Sequence, residues 1–264
     1  MNRSAPGPAS FPSVPELAAV FLDGDGTLWD FERLMRRALT ITLEHLRTLR
    51  PCSETSALDV ETLVDDRRVV ERELSSAGLG LDELRLKAFE RSLHRIGMPD
   101  DELAQVLNAV YLRERFTEVP LFEDVLPVLC DLAQRMPIGL LSNGNGYPER
   151  SGLGGLFTAC VFSDDYGITK PDRRLFHIAA DAIGANPAQL ALVGDSLTAD
   201  VAGALDAGWT AVWINRVGST SRCPAGAIEI ATLHDLSAAL QLSLKSGHPH
   251  EPGGVERPDV RRSW

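Results

Sequence analysis

Cysteine is scarce in this 264-residue chain, and the few that occur do not pair. Cys52, Cys130, Cys160 and Cys223 stand far apart, with no CxxC spacing among them. That pattern offers neither a zinc site nor a disulfide framework, and it suits a compartment that keeps thiols reduced. Cys130 and Cys160 fall in apolar contexts, which predicts core positions for both. Positive charge is also short. There are 26 lysines and arginines against 37 aspartates and glutamates, a net charge of −11. So acidic a chain is repelled by nucleic-acid polymers and by anionic membrane surfaces, and neither is expected as its main partner. No apolar run approaches the ~20 residues of a bilayer-spanning helix. The N-terminal residues hold no apolar segment of the kind that drives secretion. A cytoplasmic location is therefore expected. No internal repeat is visible.

The composition itself is that of a globular protein, 44% hydrophobic and 24% charged. Its length suits one large α/β core or a core with a smaller companion. Residues 1–15 and 246–264 are rich in chain breakers without periodicity and read as disordered tails. His248 and His250, in the second tail, read as solvated rather than metal-binding. Over residues 30–119 the apolar positions recur at helical spacing, starting with Phe31, Leu34, Met35, Ala38 and Leu39. Further helices are predicted over 60–75, 81–96 and 99–116, with Gly97 stopping one and Pro99 opening the next. Residues 16–29 and 120–245 instead alternate short apolar strands with helices. The helices are predicted over 124–135, 147–156, 172–183, 198–207 and 233–244. Alternation of this kind implies a doubly wound parallel sheet, here interrupted after its first strand by a separate helical bundle.

Chemistry concentrates where strands end. Val20-Phe21-Leu22-Asp23-Gly24-Asp25-Gly26-Thr27-Leu28 runs a β-forming segment into two aspartates one residue apart. Such neighbours repel unless a cation or a proton lies between them. One can attack a phosphorus atom while the other moves protons. An ordinary Asp-Gly turn has the same local look. A second apolar run ends in Ser142-Asn143-Gly144, where a helix cap is the plain alternative. Lys170 precedes Pro171, and a third run ends in Gly194-Asp195-Ser196, with Asp200 close behind.

In that order the four segments resemble the motifs of the haloacid dehalogenase (HAD) superfamily, in its phosphatase branch with a helical cap of the first type. The resemblance spans residues 18 to about 215. It implies a Rossmann-like α/β core (16–29 and 120–245) with an inserted cap (30–119). It also implies catalytic roles for Asp23 as nucleophile, Asp25 as general acid and base, and Lys170 as a charge screen. Ser142, Asn143 and Lys170 match phosphate-binding positions. Asp23, the Asp25 backbone carbonyl and Asp195 match ligands of Mg²⁺, with Asp200 water-mediated or behind them. The implied reaction is hydrolysis of a small soluble phosphomonoester through an aspartyl-phosphate. A phosphomutase, a dehalogenase of the same fold, which needs no acid at Asp25, and an idle binding protein remain the alternatives. Gly24 departs from the bulky apolar residue usual between the two aspartates. It either loosens the nucleophile's positioning or makes room for substrate or cap. The region of the cap holds Arg33, Arg36, Arg37, Arg67, Arg68, Arg72, Arg85 and Lys87, and sequence does not say which of them turn inward.

Overall fold

The structure, a computed structural model, describes residues 16–74, 79–117, 119–146 and 148–242. The two predicted tails, with His248 and His250, lie outside these. Six strands form one parallel sheet: β1 (Ala19–Leu22), β2 (Ile138–Ser142), β3 (Ala159–Phe162), β4 (Leu190–Gly194), β5 (Thr210–Ile214) and β6 (Ile228–Ile230). Their order is β3-β2-β1-β4-β5-β6. Strand β1 is central, so both its faces are buried, which is why its four residues read as a continuous apolar run rather than an alternating one.

Side chains still alternate between faces. Val20 and Leu22 pack with Val125, Leu129 and Leu132 of α6 (Val125–Ala133). Ala19 and Phe21 pack on the other face with Leu175, Phe176 and Ala179 of α8 (Arg173–Ile183). Each large apolar side chain fully buried in this way stabilises the fold by about 1.5–3 kcal/mol.

The bundle after β1 comprises α1 (Phe31–Leu49), the short α2 (Ser53–Ala57), α3 (Val60–Glu73), α4 (Leu81–Arg95) and α5 (Asp101–Arg115). Aspartates start three of these helices. Asp30, Asp59 and Asp100 accept from the backbone N–H of Arg33, Thr62 and Leu103 respectively. The bundle buries its own cluster, including Leu39, Leu46, Phe89, Leu93 and Leu107, apart from the two clusters flanking the sheet. The two connections to the core lie side by side. Trp29 bridges to Leu121, and the Phe122 N–H donates to the Leu28 carbonyl at 3.1 Å.

Several expectations need correction. Cys130 and Cys160 are exposed, not core residues, because each lies on the outer side of an element whose apolar neighbours face inward. In place of a helix over 147–156 there is a single 3₁₀ turn, Pro148–Ser151. Gly152 and Gly155, both at positive φ, stop it from continuing. Residues 198–207 begin as a π-helical turn, Leu197–Ala202, and only then become α9 (Gly203–Asp206). The final helix shrinks to a turn and α10 (Leu236–Ala239). Pro99 precedes its helix's capping Asp100 rather than opening the first turn. Strand β6, α2 and α7 (Ser163–Tyr166) had no sequence signal, since three to five residues are too few to carry a period.

Candidate active site

Strand β1 leads to β2 on one side and, after the chain returns, neighbours β4 on the other. The carboxyl ends of these strands therefore frame a crevice at the point where strand order reverses, the position at which open α/β sheets bind ligands. Asp23 follows β1, Ser142 ends β2, and Asp195 follows β4. Lys170 enters from the loop before α8.

Lys170 ties the site together. Its buried Nζ donates to Asp23 Oδ1 at 2.6 Å, to Asp200 Oδ1 at 2.6 Å and to the Leu141 carbonyl at 2.7 Å. Asn143 fixes the lysine's backbone from both sides, accepting from its N–H at 2.7 Å and donating to its carbonyl at 3.0 Å. Ser142 Oγ is fully buried and accepts from the Gly144 N–H. Asp200 Oδ2 accepts from the Ser196 N–H at 3.0 Å, so the π-helical turn holds this carboxylate under the strand ends.

Carboxylate oxygens of Asp23, Asp195 and Asp200 lie within 4.8 Å of one another. Burial penalises the charged forms of Asp23 and Asp195. It raises the Asp23 pKa well above the usual range, with Lys170 opposing and Asp200 adding to the rise. Burial, then Asp200, pushes Asp195 up to about 6. Burial would lower the Lys170 pKa, but Asp200 and Asp23 outweigh it, and the ammonium stays charged. Three convergent carboxylates offer an all-oxygen donor set of the kind a hard divalent cation binds, with the Lys170 ammonium beside them. Gly26, at φ +84°, lets the backbone turn against Asp195; a Cβ there would lie 2.4 Å from a carboxylate oxygen.

The Asp25 side chain is not part of this cluster. Its Oδ1 accepts from the Trp29 indole N–H at 2.6 Å, and its Oδ2 lies 3.9 Å from the Arg115 guanidinium. Trp29 also explains Gly24. A Cβ at Gly24 would sit 2.5 Å from the indole Cζ2, and one at Gly146 would sit 2.7 Å from the same atom. The indole thus fills the space left by two glycines and reaches Asp25 from there. Gly24 makes room, but for neither substrate nor cap: the occupant is Trp29, from the core's own segment.

The crevice continues into a cavity of about 220 Å³ shared with the bundle. Of the basic residues in the cap region, Arg67 and Arg85 line it, joined by Arg115, which had not been singled out. The signal was present: Arg67, Arg85 and Arg115 each occupy a position on the apolar stripe of its helix, beside Leu63 and Val64, Ala88 and Phe89, and Tyr111 respectively.

A parallel α/β core, a helical cap and a carboxylate-lysine cluster at the strand switch point are the architecture of a capped α/β hydrolase. Residues 17–208 match the haloacid dehalogenase-like hydrolase family, and the chain belongs to it. A 5-amino-6-(5-phospho-D-ribitylamino)uracil phosphatase of Escherichia coli is 28% identical over 207 residues, covering 75% of this chain and 83% of that protein. An N-acylneuraminate-9-phosphatase of Rattus norvegicus is 26% identical over 240 residues, covering 86% and 95%. Among solved structures, a 2-haloacid dehalogenase from Pseudomonas syringae pv. Tomato DC3000 matches with a TM-score of 0.69 and 29% identity, over 85% of this chain and 98% of that one. Among the described residues no helix is long and apolar enough to cross a membrane.

Proposed function

We propose that this chain is a Mg²⁺-dependent phosphomonoesterase that acts on a small soluble phosphorylated metabolite. The observation that carries the reading is Asp25. It is an acid two residues beyond the nucleophile position, held by its own indole donor and outside the three-carboxylate cluster. Displacement of halide from carbon gives such a group no proton to deliver. Expulsion of an alkoxide from phosphorus does.

In this reading Asp23 attacks phosphorus in line while Asp25 protonates the departing oxygen, leaving an aspartyl-phosphate. Asp25 then takes a proton from the water that hydrolyses it. Lys170 screens Asp23 from the incoming phosphoryl group, and Ser142 and Asn143 border the phosphoryl site. Asp23, Asp195 and the Asp25 backbone carbonyl would hold Mg²⁺, with Asp200 behind. The ion supplies positive charge against the phosphoryl oxygens.

Phosphate release from p-nitrophenyl phosphate should require Mg²⁺ and stop on chelation. Asp23→Asn should abolish it. Asp25→Asn should lower turnover about 10²–10⁴-fold on alkyl phosphates, the usual contribution of positioned proton transfer. Halide release from 2-chloropropionate without any phosphate release would overturn the reading in favour of the dehalogenase.

A further inference from the structure

The cap side of the cavity concentrates three guanidinium groups, each facing one carboxylate that is more exposed than itself. Arg85 and Arg115 are 4% and 3% exposed, and Arg67 is partly buried beside them. Arg85 Nη1 donates to Asp82 at 2.6 Å, but that carboxylate is 68% exposed and lies at the rim. Arg85 Nη2 reaches Asn145 at 3.2 Å, and its Nε has no partner. Arg115 stacks on Phe31 and Phe116, with its Nη1 unpartnered and its Nη2 3.9 Å from Asp25. Arg67 donates to Glu71, itself 38% exposed, while its Nη1 faces only the Met35 sulfur at 3.2 Å. The Tyr111 hydroxyl, also buried and unpartnered, lines the small recess next to Arg67 and Arg85.

Buried guanidinium groups are costly unless paired with an anion or fully hydrogen-bonded. Burial, and then repulsion from Arg115, lowers the Arg85 pKa to about 10, which leaves it charged at neutral pH. Three guanidinium groups lining one cavity suit an acceptor of a particular kind: a compact group with several anionic oxygens, which guanidinium forks bind with both charge and geometry. The larger cleft on the far side of Asp25 suits such a ligand less well, because the arginine that lines it, Arg216, is already paired with Asp124. One anion at the strand ends, the phosphoryl group, does not account for donors carried on three separate cap helices.

We propose that Arg67, Arg85 and Arg115 form a site for a second anionic group on the substrate, a carboxylate or a second phosphate. The proposal rests on the phosphomonoesterase reading and narrows its substrate class. The cavity of about 220 Å³ limits the spacing: the two anionic ends are separated by only a few atoms. Phe31, which Arg115 and Arg67 both flank, gives the connecting segment an apolar wall.

The test is a set of matched phosphomonoesters assayed with Mg²⁺ on the full chain. Ethyl phosphate is compared with 2-phosphoglycolate, and propyl phosphate with propane-1,3-diol bisphosphate. The anion-bearing member of at least one pair should have a kcat/KM about 10–100-fold higher, the size of one charge-assisted hydrogen bond to a buried donor. Preference in the first pair identifies a carboxylate, and preference in the second a phosphate. Arg85→Gln and Arg115→Gln should each bring that ratio towards one, while Arg85→Lys restores part of it. The wild-type ratio decides the matter even where a variant fails to fold. Turnover of every member with ratios near one overturns the second-anion site while the phosphatase reading stands. Absence of phosphate release from all of them, p-nitrophenyl phosphate included, removes both.

Discussion

Gly24 and Trp29 form a matched pair. The indole occupies the volume that a side chain at Gly24 would need, and from there it donates to Asp25. Trp29→Phe keeps an aromatic ring but removes the N–H. The expected cost is about 2–10-fold in turnover, the equivalent of one hydrogen bond of about 0.5–1.5 kcal/mol. Gly24→Ala forces a buried ring to move and should destabilise the protein by about 1–3 kcal/mol in urea unfolding, the usual penalty of overpacking. Because Phe lacks the atoms that clash, Gly24→Ala should cost less in the Trp29→Phe background. Additive losses in that double-mutant cycle would show that the two positions do not share the space. Nothing in the nonapeptide itself announces the contact. It arises because the chain turns back over β1 and bridges Asp25 to Trp29.

Helices α3 and α4 are joined by a buried carboxylate. Asp66 is fully buried and accepts from Ser92 Oγ at 2.9 Å, from Arg91 Nε at 3.1 Å and from Arg95 Nη2 at 2.5 Å. Burial would raise its pKa, but the bonds from Arg95 and Ser92 outweigh that and hold it below the usual carboxylate value. Asp66→Ala should cost about 1.5–3 kcal/mol, the range for hydrogen bonds to charged groups. The loss should be local: amide exchange in α3 and α4 should accelerate while β1 and β4 remain protected. Uniform acceleration across sheet and bundle would instead mean that the two unfold as one unit. The start of α3 is marked by Asp59, which caps its own next turn, whereas α4 starts at Gly80 without a side-chain cap. Their inward-facing arginines were legible only as breaks in an apolar stripe.

Asp124 connects distant parts of the core. It accepts both Arg216 Nη groups at 2.9 Å, the Thr232 hydroxyl at 2.7 Å and the Leu233 N–H at 2.7 Å. Arg216 in turn donates to the Thr27 carbonyl at 2.9 Å, so this clamp backs the loop that carries Asp25. Burial opposes ionisation of Asp124, yet Arg216, Thr232 and Leu233 together depress its pKa below the unfolded value. A depressed carboxylate pKa contributes stability that is present above the unfolded value, about 3.9, and is lost as pH falls through the folded one. Asp124→Asn should therefore lower the melting temperature at pH 7 and make stability less dependent on pH below about 4. An unchanged acid profile in the variant would place the acid-sensitive step elsewhere.

The first five strands, the long helices, the parallel sheet and the four motif segments could be read from sequence, because each rests on local period, on turn residues or on the order of residues along the chain. Asp23, Ser142 and Asp195 stand at strand ends, and the order of the motifs placed Lys170 with them. The pairings could not be read in this way. Lys170 and Asp23 are 147 residues apart, and only the strand order brings β2, β1 and β4 together with the loop before α8. The same holds for Trp29 over Gly24, for Arg216 on Asp124, and for three arginines from three helices facing one cavity. Periodicity assigns a residue to a face of its own element. Which faces meet depends on how whole elements pack, and that is a property of the folded chain.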